Sequence, residues 1–375
     1  GSGTSFTLDE NTYSIGSIQV RNSDEAGNTS SSVSNNSEII IDTTSPIASI
    51  TYDSSGPYKN GETVVISATF NESMVDSPIP QISISGSGIN SLSATNMTKV
   101  SSTIYTYNYS VPTGNGSGTI TLSNGTDLAG NSITSNPTSG ATFTVDNITP
   151  TLSSVLISSN NSLNNSLAKA GNVITLSLTS SENIQTPTIS MSIGGTSVSP
   201  TVSGSNSYWT ATYTVVDGNT GSVSFSIDFN DLANNTGTQV TNTTNSSSVN
   251  VDTTSPTVSS FTMSDSALKS GDTATVSIQF SEEVISFSNS NMTVPNGTLS
   301  TLTSSDNINW SAVYTPNTNV EDTTNELTIN NSYTDLAGNS GSSLSTSNFT
   351  IDTVTPTLTS VLLSSSNSLD TSLAK

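Results

Sequence analysis

The sequence predicts an all-β chain: a tandem array of Greek-key β-sandwich domains, about seven strands each, laid end to end as an elongated rod. Three observations predict it. First, a two-part motif recurs four times. One half is Asp24-Glu25-Ala26-Gly27-Asn28, with Asp127-Leu128-Ala129-Gly130-Asn131, Asp231-Leu232-Ala233-Asn234-Asn235 and Asp335-Leu336-Ala337-Gly338-Asn339. The other is Asp42-Thr43-Thr44-Ser45-Pro46, echoed at 146–150, 252–256 and 352–356. Copies of the first half lie 103, 104 and 104 residues apart and copies of the second 104, 106 and 100, a period the size of one small domain. Second, apolar residues alternate with polar ones at period two. Third, the stretches between are Gly, Asn, Ser, Thr and Pro, the chemistry of turns, with no helical stripe of useful length.

Taken in order, residues 1–42 read as the last three strands of a copy. Full copies follow at 43–146, 147–252 and 253–352. Residues 353–375 read as the start of another, since Thr357 to Lys375 parallels Thr151 to Lys169. The chain thus reads as a segment of a longer protein. Within the copies, one strand face is Val64, Ile66, Ala68 and Phe70, then Ile174, Leu176, Leu178 and Ser180, then Ala274, Val276, Ile278 and Phe280. A second is Tyr105, Tyr107 and Tyr109, then Trp209, Ala211 and Tyr213, then Trp310, Ala312 and Tyr314. A third holds Ile120 and Leu122, then Val223, Phe225 and Ile227, then Leu327 and Ile329. The last strand of each copy (Phe143 and Val145; Val249 and Val251; Phe349 and Ile351) runs directly into the Asp of the next linker. That linker is short, and its proline fixes φ and biases its predecessor to extended backbone. A stiff rod is expected.

Composition narrows the function. The chain is 31% hydrophobic and 9% charged, lean enough to raise disorder, but the regular alternation argues for folded strands. Its net charge of -22 disfavours nucleic acid and anionic membrane and favours cations. With no Cys and no His, disulfide staples, serine-protease-type triads and His-ligated zinc are excluded. No apolar run approaches the length of a membrane span, so no direct membrane insertion is expected of this segment.

The few acids are placed systematically. With the strands of a copy lettered A to G, the entry linker, the B–C loop and the F–G loop share the N-terminal pole. This pole collects Asp42, Glu72 and Asp127 in the first copy, Asp146, Glu182 and Asp231 in the second, and Asp252, Glu282 and Asp335 in the third. The E–F loop lies at the opposite pole and faces the next copy. It carries Asp217 in the second copy and Asp322 in the third, and Asp352 opens the linker after that. Converging carboxylates repel unless neutralised. Hard oxygen ligands without His or Cys select Ca²⁺, with backbone carbonyls and Asn side chains to complete the shell. One Ca²⁺ site per joint is therefore expected. The competing reading is that these Asp and Asn residues cap turns.

Other candidates are weaker. Eighteen Asn-x-Ser/Thr sequons barely exceed the roughly 16 that this composition yields by chance. Trp209 and Trp310 fall on the same alternating face as Tyr213 and Tyr314, so they read as core before sugar platforms. Glu282 and Glu283 are adjacent on a strand or its end and point opposite ways, which argues against a paired-carboxylate active site; no enzyme is expected.

These motifs carry a resemblance. Asp-Thr-Thr-x-Pro linkers, Phe280-Ser281-Glu282 after strand B and Asp-Leu-Ala-Gly-Asn before strand G resemble the bacterial Ig-like domains of large exported surface proteins: repeat-rich adhesins, biofilm-associated proteins and surface-layer (S-layer) proteins. The resemblance implies calcium at domain joints. It also implies a non-enzymatic, extracellular, cell-surface role as an adhesin stalk or a lattice component. The partners are then neighbouring copies of itself or a distal adhesive domain on the same chain. A different class, accessory carbohydrate-binding modules of an exported enzyme, is the alternative. The second copy departs from the pattern at Ser180-Ser181-Glu182 and at Asn234, which leaves its loop conformation open.

Overall fold

The computed structural model describes residues 5–365 and is all-β. Among the described residues the only helical element is a single 3₁₀ turn, Asn289–Asn291. In the first copy strands A (Ala48–Tyr52), B (Thr63–Phe70), E (Ile104–Ser110) and D (Thr98–Lys99) form one sheet in the order A-B-E-D. Strands G (Thr142–Val145), F (Gly116–Ser123), C (Gln81–Ser87) and C′ (Leu92–Asn96) form the other. The second copy repeats this order, with A at Leu152–Ser159, B at Val173–Ser180 and E at Tyr208–Thr214. In the third, A (Val258–Met263), B (Ala274–Phe280) and E (Asn309–Pro316) again lie side by side, while the facing layer is split into shorter ladders.

Period-two alternation produces this directly. Strand B of the first copy buries every second side chain, with Ile66 and Ala68 at 0% exposure. Three separate apolar clusters result, spanning Ala48–Val145, Val155–Val251 and Phe261–Ile351. Each is a thin core between two sheets, held by burial of Ile, Val, Leu and aromatic side chains worth about 1.5–3 kcal/mol apiece. Trp209 belongs to its core, and Trp310 packs half-buried against its own. Trp209 is 7% exposed and its Nε1 donates to the Asn206 carbonyl at 3.2 Å. Trp310 packs edge-on against Phe287 at 5.2 Å.

Two terminal expectations differ from what is observed. The described residues 5–42 form four short strands in two ribbons, Asn11–Tyr13 with Ile39–Ile41 and Gln19–Val20 with Val33–Ser34, where three strands were expected. Residues 353–365 form no strand; the remainder of 353–375 lies outside the described residues. In every full copy strand A is held by strand B.

Candidate metal centres at the domain joints

The Asp-Leu-Ala-x-Asn turn is built around its own aspartate. Asp127 Oδ1 accepts the Ala129 and Asn131 N–H groups at 2.8 Å each, and Asn131 Nδ2 donates to Asp127 Oδ2 at 2.8 Å. In the same way Asp231 accepts from Asn235 at 2.8 and 2.7 Å, and Asp335 from Asn339 at 2.9 and 2.7 Å. The fourth residue must be left-handed: Gly130 has φ 95°, Gly338 φ 89°, and Asn234 takes φ 65°. Asparagine is the side chain that best tolerates this region after glycine. The departure of the second copy from the motif therefore leaves the turn intact.

The final Asn of the turn also fastens the linker. Asn131, Asn235 and Asn339 Nδ2 donate to the carbonyls of Asp42, Asp146 and Asp252 at 3.1, 3.0 and 2.9 Å. The residue after each linker Asp is held by the preceding copy. Asn147 N–H donates to Asn115 Oδ1 at 2.6 Å, Thr253 Oγ1 to the Asn219 carbonyl at 3.0 Å, and Thr353 Oγ1 to the Asn317 carbonyl at 2.8 Å. At 146–147 and 252–253, consecutive residues are thus pinned to different domains. This role of the Asn was missed from sequence, although its recurrence with the Asp at a fixed offset of four was the available signal.

The linker Asp and the Glu after strand B close on the turn Asp. Asp42, Glu72 and Asp127 bring one carboxylate oxygen each within 4.8 Å of one another, as do Asp146, Glu182 and Asp231, and Asp252, Glu282 and Asp335. In each group the turn Asp is buried at 1% exposure and the other two are half-buried. Burial, reinforced by the two neighbouring aspartates, pushes Glu72, Glu182 and Glu282 above the usual carboxylate range. Burial also works to raise Asp127, but its hydrogen bonds from Asn131, Gly130 and Ala129 outweigh that and hold it below the ordinary value. No ammonium or guanidinium neutralises these groups: among the described residues the one ion pair is Lys99 with Asp76, elsewhere.

The remaining sequence-predicted acids stand outside these groups. Asp217 is exposed and accepts the Gly218 N–H in its own turn. Asp322 Oδ1 takes the Thr324 N–H and hydroxyl, and its Oδ2 takes Asn296 Nδ2. Both E–F loops do reach the following linker, but through backbone and threonine contacts and not through these carboxylates. Asp352 caps the Val354 N–H as the earlier linker aspartates cap theirs; it stands cross-strand from Glu321 and belongs to none of the three carboxylate groups.

Residues 252–351 match the family described as a bacterial Ig-like domain. No curated protein matches the chain. Among solved structures, the Escherichia coli adhesin FdeC is 16% identical, covering 81% of this chain and 96% of its own, with TM-score 0.39. Invasin, described as a bacterial integrin-binding protein, is 14% identical over 76% of this chain and 56% of its own, with TM-score 0.30. Domains A168–A170 of titin are 9% identical over 82% and 99%, with TM-score 0.29. Scores this low say nothing of function. No helix among the described residues is long and apolar enough to cross a membrane. The bacterial Ig-like match falls on the third copy, residues 252–351, and the two preceding copies repeat its motifs and its A-B-E strand order.

Proposed function

We infer that the chain is a non-enzymatic structural segment of an extracellular cell-surface protein, a tandem Ig-like array stiffened by Ca²⁺ at its joints. One observation carries this reading: at three successive joints, three carboxylates converge on the linker without a basic partner. Repelling charges so placed cost stability unless a cation offsets them. The donor set fits a hard divalent ion, since all three side-chain ligands are carboxylate oxygens. Asp42, Glu72 and Asp127 hold the first ion, Asp146, Glu182 and Asp231 the second, and Asp252, Glu282 and Asp335 the third. A bound ion screens the three charges and ties the linker, the B–C loop and the F–G turn of one domain together. Because the linker is also pinned to the preceding domain, order there restrains the angle between domains.

The role is then mechanical. As an adhesin stalk the rod presents a distal adhesive domain on the same chain. As a surface-layer component its copies touch neighbouring chains laterally. Calcium titration of the chelator-treated chain, read by calorimetry and thermal unfolding, tests the ion. Binding with a raised Tm is expected; an inert titration with an unchanged Tm sinks it. Electron microscopy of the purified chain separates isolated rods from two-dimensional sheets. The carbohydrate-module alternative finds no open platform at Trp209, which is buried, while Trp310 is half-buried against its core.

A further inference from the structure

Two joints are crossed by a lysine. Lys59 Nζ donates to the Asn234 carbonyl at 2.7 Å, and Lys169 Nζ donates to the Gly338 carbonyl. Both acceptors are the fourth residue of the Asp-Leu-Ala-x-Asn turn in the following copy. The donors are equally matched. Lys59, Lys169 and Lys269 each open a Lys-x-Gly turn in which Gly61, Gly171 and Gly271 take φ 88°, 84° and 89°. The next residue (Glu62, Asn172 or Asp272) returns its N–H to the lysine carbonyl at 3.2, 3.0 and 3.1 Å. Its side-chain oxygen accepts the lysine N–H at 3.2, 2.9 and 3.1 Å. The backbone of the lysine is thus fixed at both its polar groups before the side chain reaches across. These are three of only six basic residues in the chain. Lys59 and Lys169 are half-buried, whereas Lys269 is exposed and has no acceptor among the described residues.

We propose that the Lys-x-Gly turn is the surface by which each copy recognises the Asp-Leu-Ala-x-Asn turn of the copy that follows, and that its lysine sets the angle of the joint without help from a cation. The ammonium suits that turn twice. It finds a carbonyl held still by a closed hydrogen-bonded loop, and it brings positive charge to a loop whose aspartate lies among acids. Lysine and acidic group thus act on the same five residues from the two sides of a joint. The proposal does not depend on ion binding.

The absence of cysteine allows unique spin labels on the full chain. Cysteines introduced at the exposed Ser93, Thr201 and Thr298 in pairs report the first–second and second–third joints by electron–electron distance measurement. In chelator, Lys59→Met is expected to broaden the 93–201 distribution about twofold and leave 201–298 unchanged, because small interdomain contacts leave domains free to move by default. Lys169→Met does the reverse. Lys269→Met changes neither, and Lys169→Arg, which keeps a donor, restores the narrow distribution. Unchanged widths in Lys59→Met and Lys169→Met, in chelator, overturn the proposal, as does equal broadening of both joints by either variant. A circular-dichroism melt identical to the parent confirms that each variant is folded. If the methionine variants broaden while calcium has no effect on any chain, the lysine contact stands and the cation reading falls.

Discussion

The joint between the first and second copies and the joint between the second and third use the same lysine contact but differ in everything around it. At the first–second joint Lys59 is the side chain that crosses to the turn, and Asn234 at its tip is exposed. At the second–third joint the turn is covered. Ala337, Gly338 and Asn339 are all buried, and Asn161 Nδ2 donates to the Ala337 carbonyl at 2.8 Å beside the Lys169 contact. A methyl built on Gly338 would sit 3.1 Å from Leu163 Cδ1. The cause is a longer A–B connection. From Pro150 to Lys169 is 19 residues, against 13 from Pro46 to Lys59 and from Pro256 to Lys269. The added residues include Asn161 and Leu163, which close over the next domain. One fold therefore yields a more open joint or a covered one by the length of strand A and the loop that follows it. In the sequence alone, Asn367, Leu369 and Lys375 repeat the same three residue types at the same spacing.

The largest expected effect lies at the turn both joints share. Asp335→Ala removes the acceptor of the Asn339 N–H and Nδ2 groups at a site 1% exposed. Stranding two buried donors costs about 3 kcal/mol, read as a lower denaturant midpoint for the third copy, with calcium binding at that joint lost. Asp335→Asn keeps one acceptor oxygen but not the charge, so it is expected to retain more of the fold than of the ion affinity. Equal losses from the two variants would show that the aspartate is a cap and nothing more.

Next comes the tight joint itself. Asn161→Ala leaves the buried Ala337 carbonyl without its donor and is expected to cost about 1–2 kcal/mol of coupling between the second and third copies. Calorimetry of the whole chain should show their unfolding separate. The first–second joint has no such residue, and its behaviour should not change. Gly338→Asn sharpens the comparison further. Asn234 already demonstrates that asparagine can hold this left-handed position, and Leu163, whose Cδ1 lies 3.1 Å from the new Cβ, is exposed and free to shift. Gly338→Asn is therefore expected to change the second–third joint by less than about 1 kcal/mol. Asn234→Gly should do little beyond losing the 2.8 Å bond from Gln185 Nε2.

How much of this was legible beforehand divides along a physical line. The strand faces, the packing of the tryptophans against the cores and the meeting of Asp42, Glu72 and Asp127 all follow from alternation and from counting which loops share a pole. Each is a consequence of one domain's backbone. Lys59 and Lys169 carry just as regular a signal, a basic residue two before a glycine in a chain with six bases, yet what they touch depends on the angle between domains, which no local pattern encodes. Asp217 and Asp322 were placed at the correct pole for the same reason that Lys59 could have been. Their side chains nevertheless turn back to the loop that carries them, because a donor two residues away or fewer is nearer than the neighbouring domain.

The smallest effect is also the one whose sign separates the ion-free joints from the loaded ones. Glu72, Glu182 and Glu282 are raised above their ordinary 4.5 by burial and by the flanking aspartates. A carboxyl raised on folding contributes stability that is fully present below its unfolded value and is lost as pH rises through the folded one. In chelator, lowering the pH from neutral toward 5 should therefore raise the Tm. Asp127 and Asp24, held below their ordinary 3.8, oppose this only at more acid pH, where their contribution is lost, so they leave that window clear. With calcium bound, protons compete with the ion for the same oxygens, and the same acidification should lower the Tm. Two melting series, one in chelator and one in calcium, should slope in opposite directions between pH 7 and about pH 5. Parallel slopes would mean that the three glutamates never share an ion with their aspartates, and that both joints, loose and tight, are held by the lysine and asparagine contacts alone.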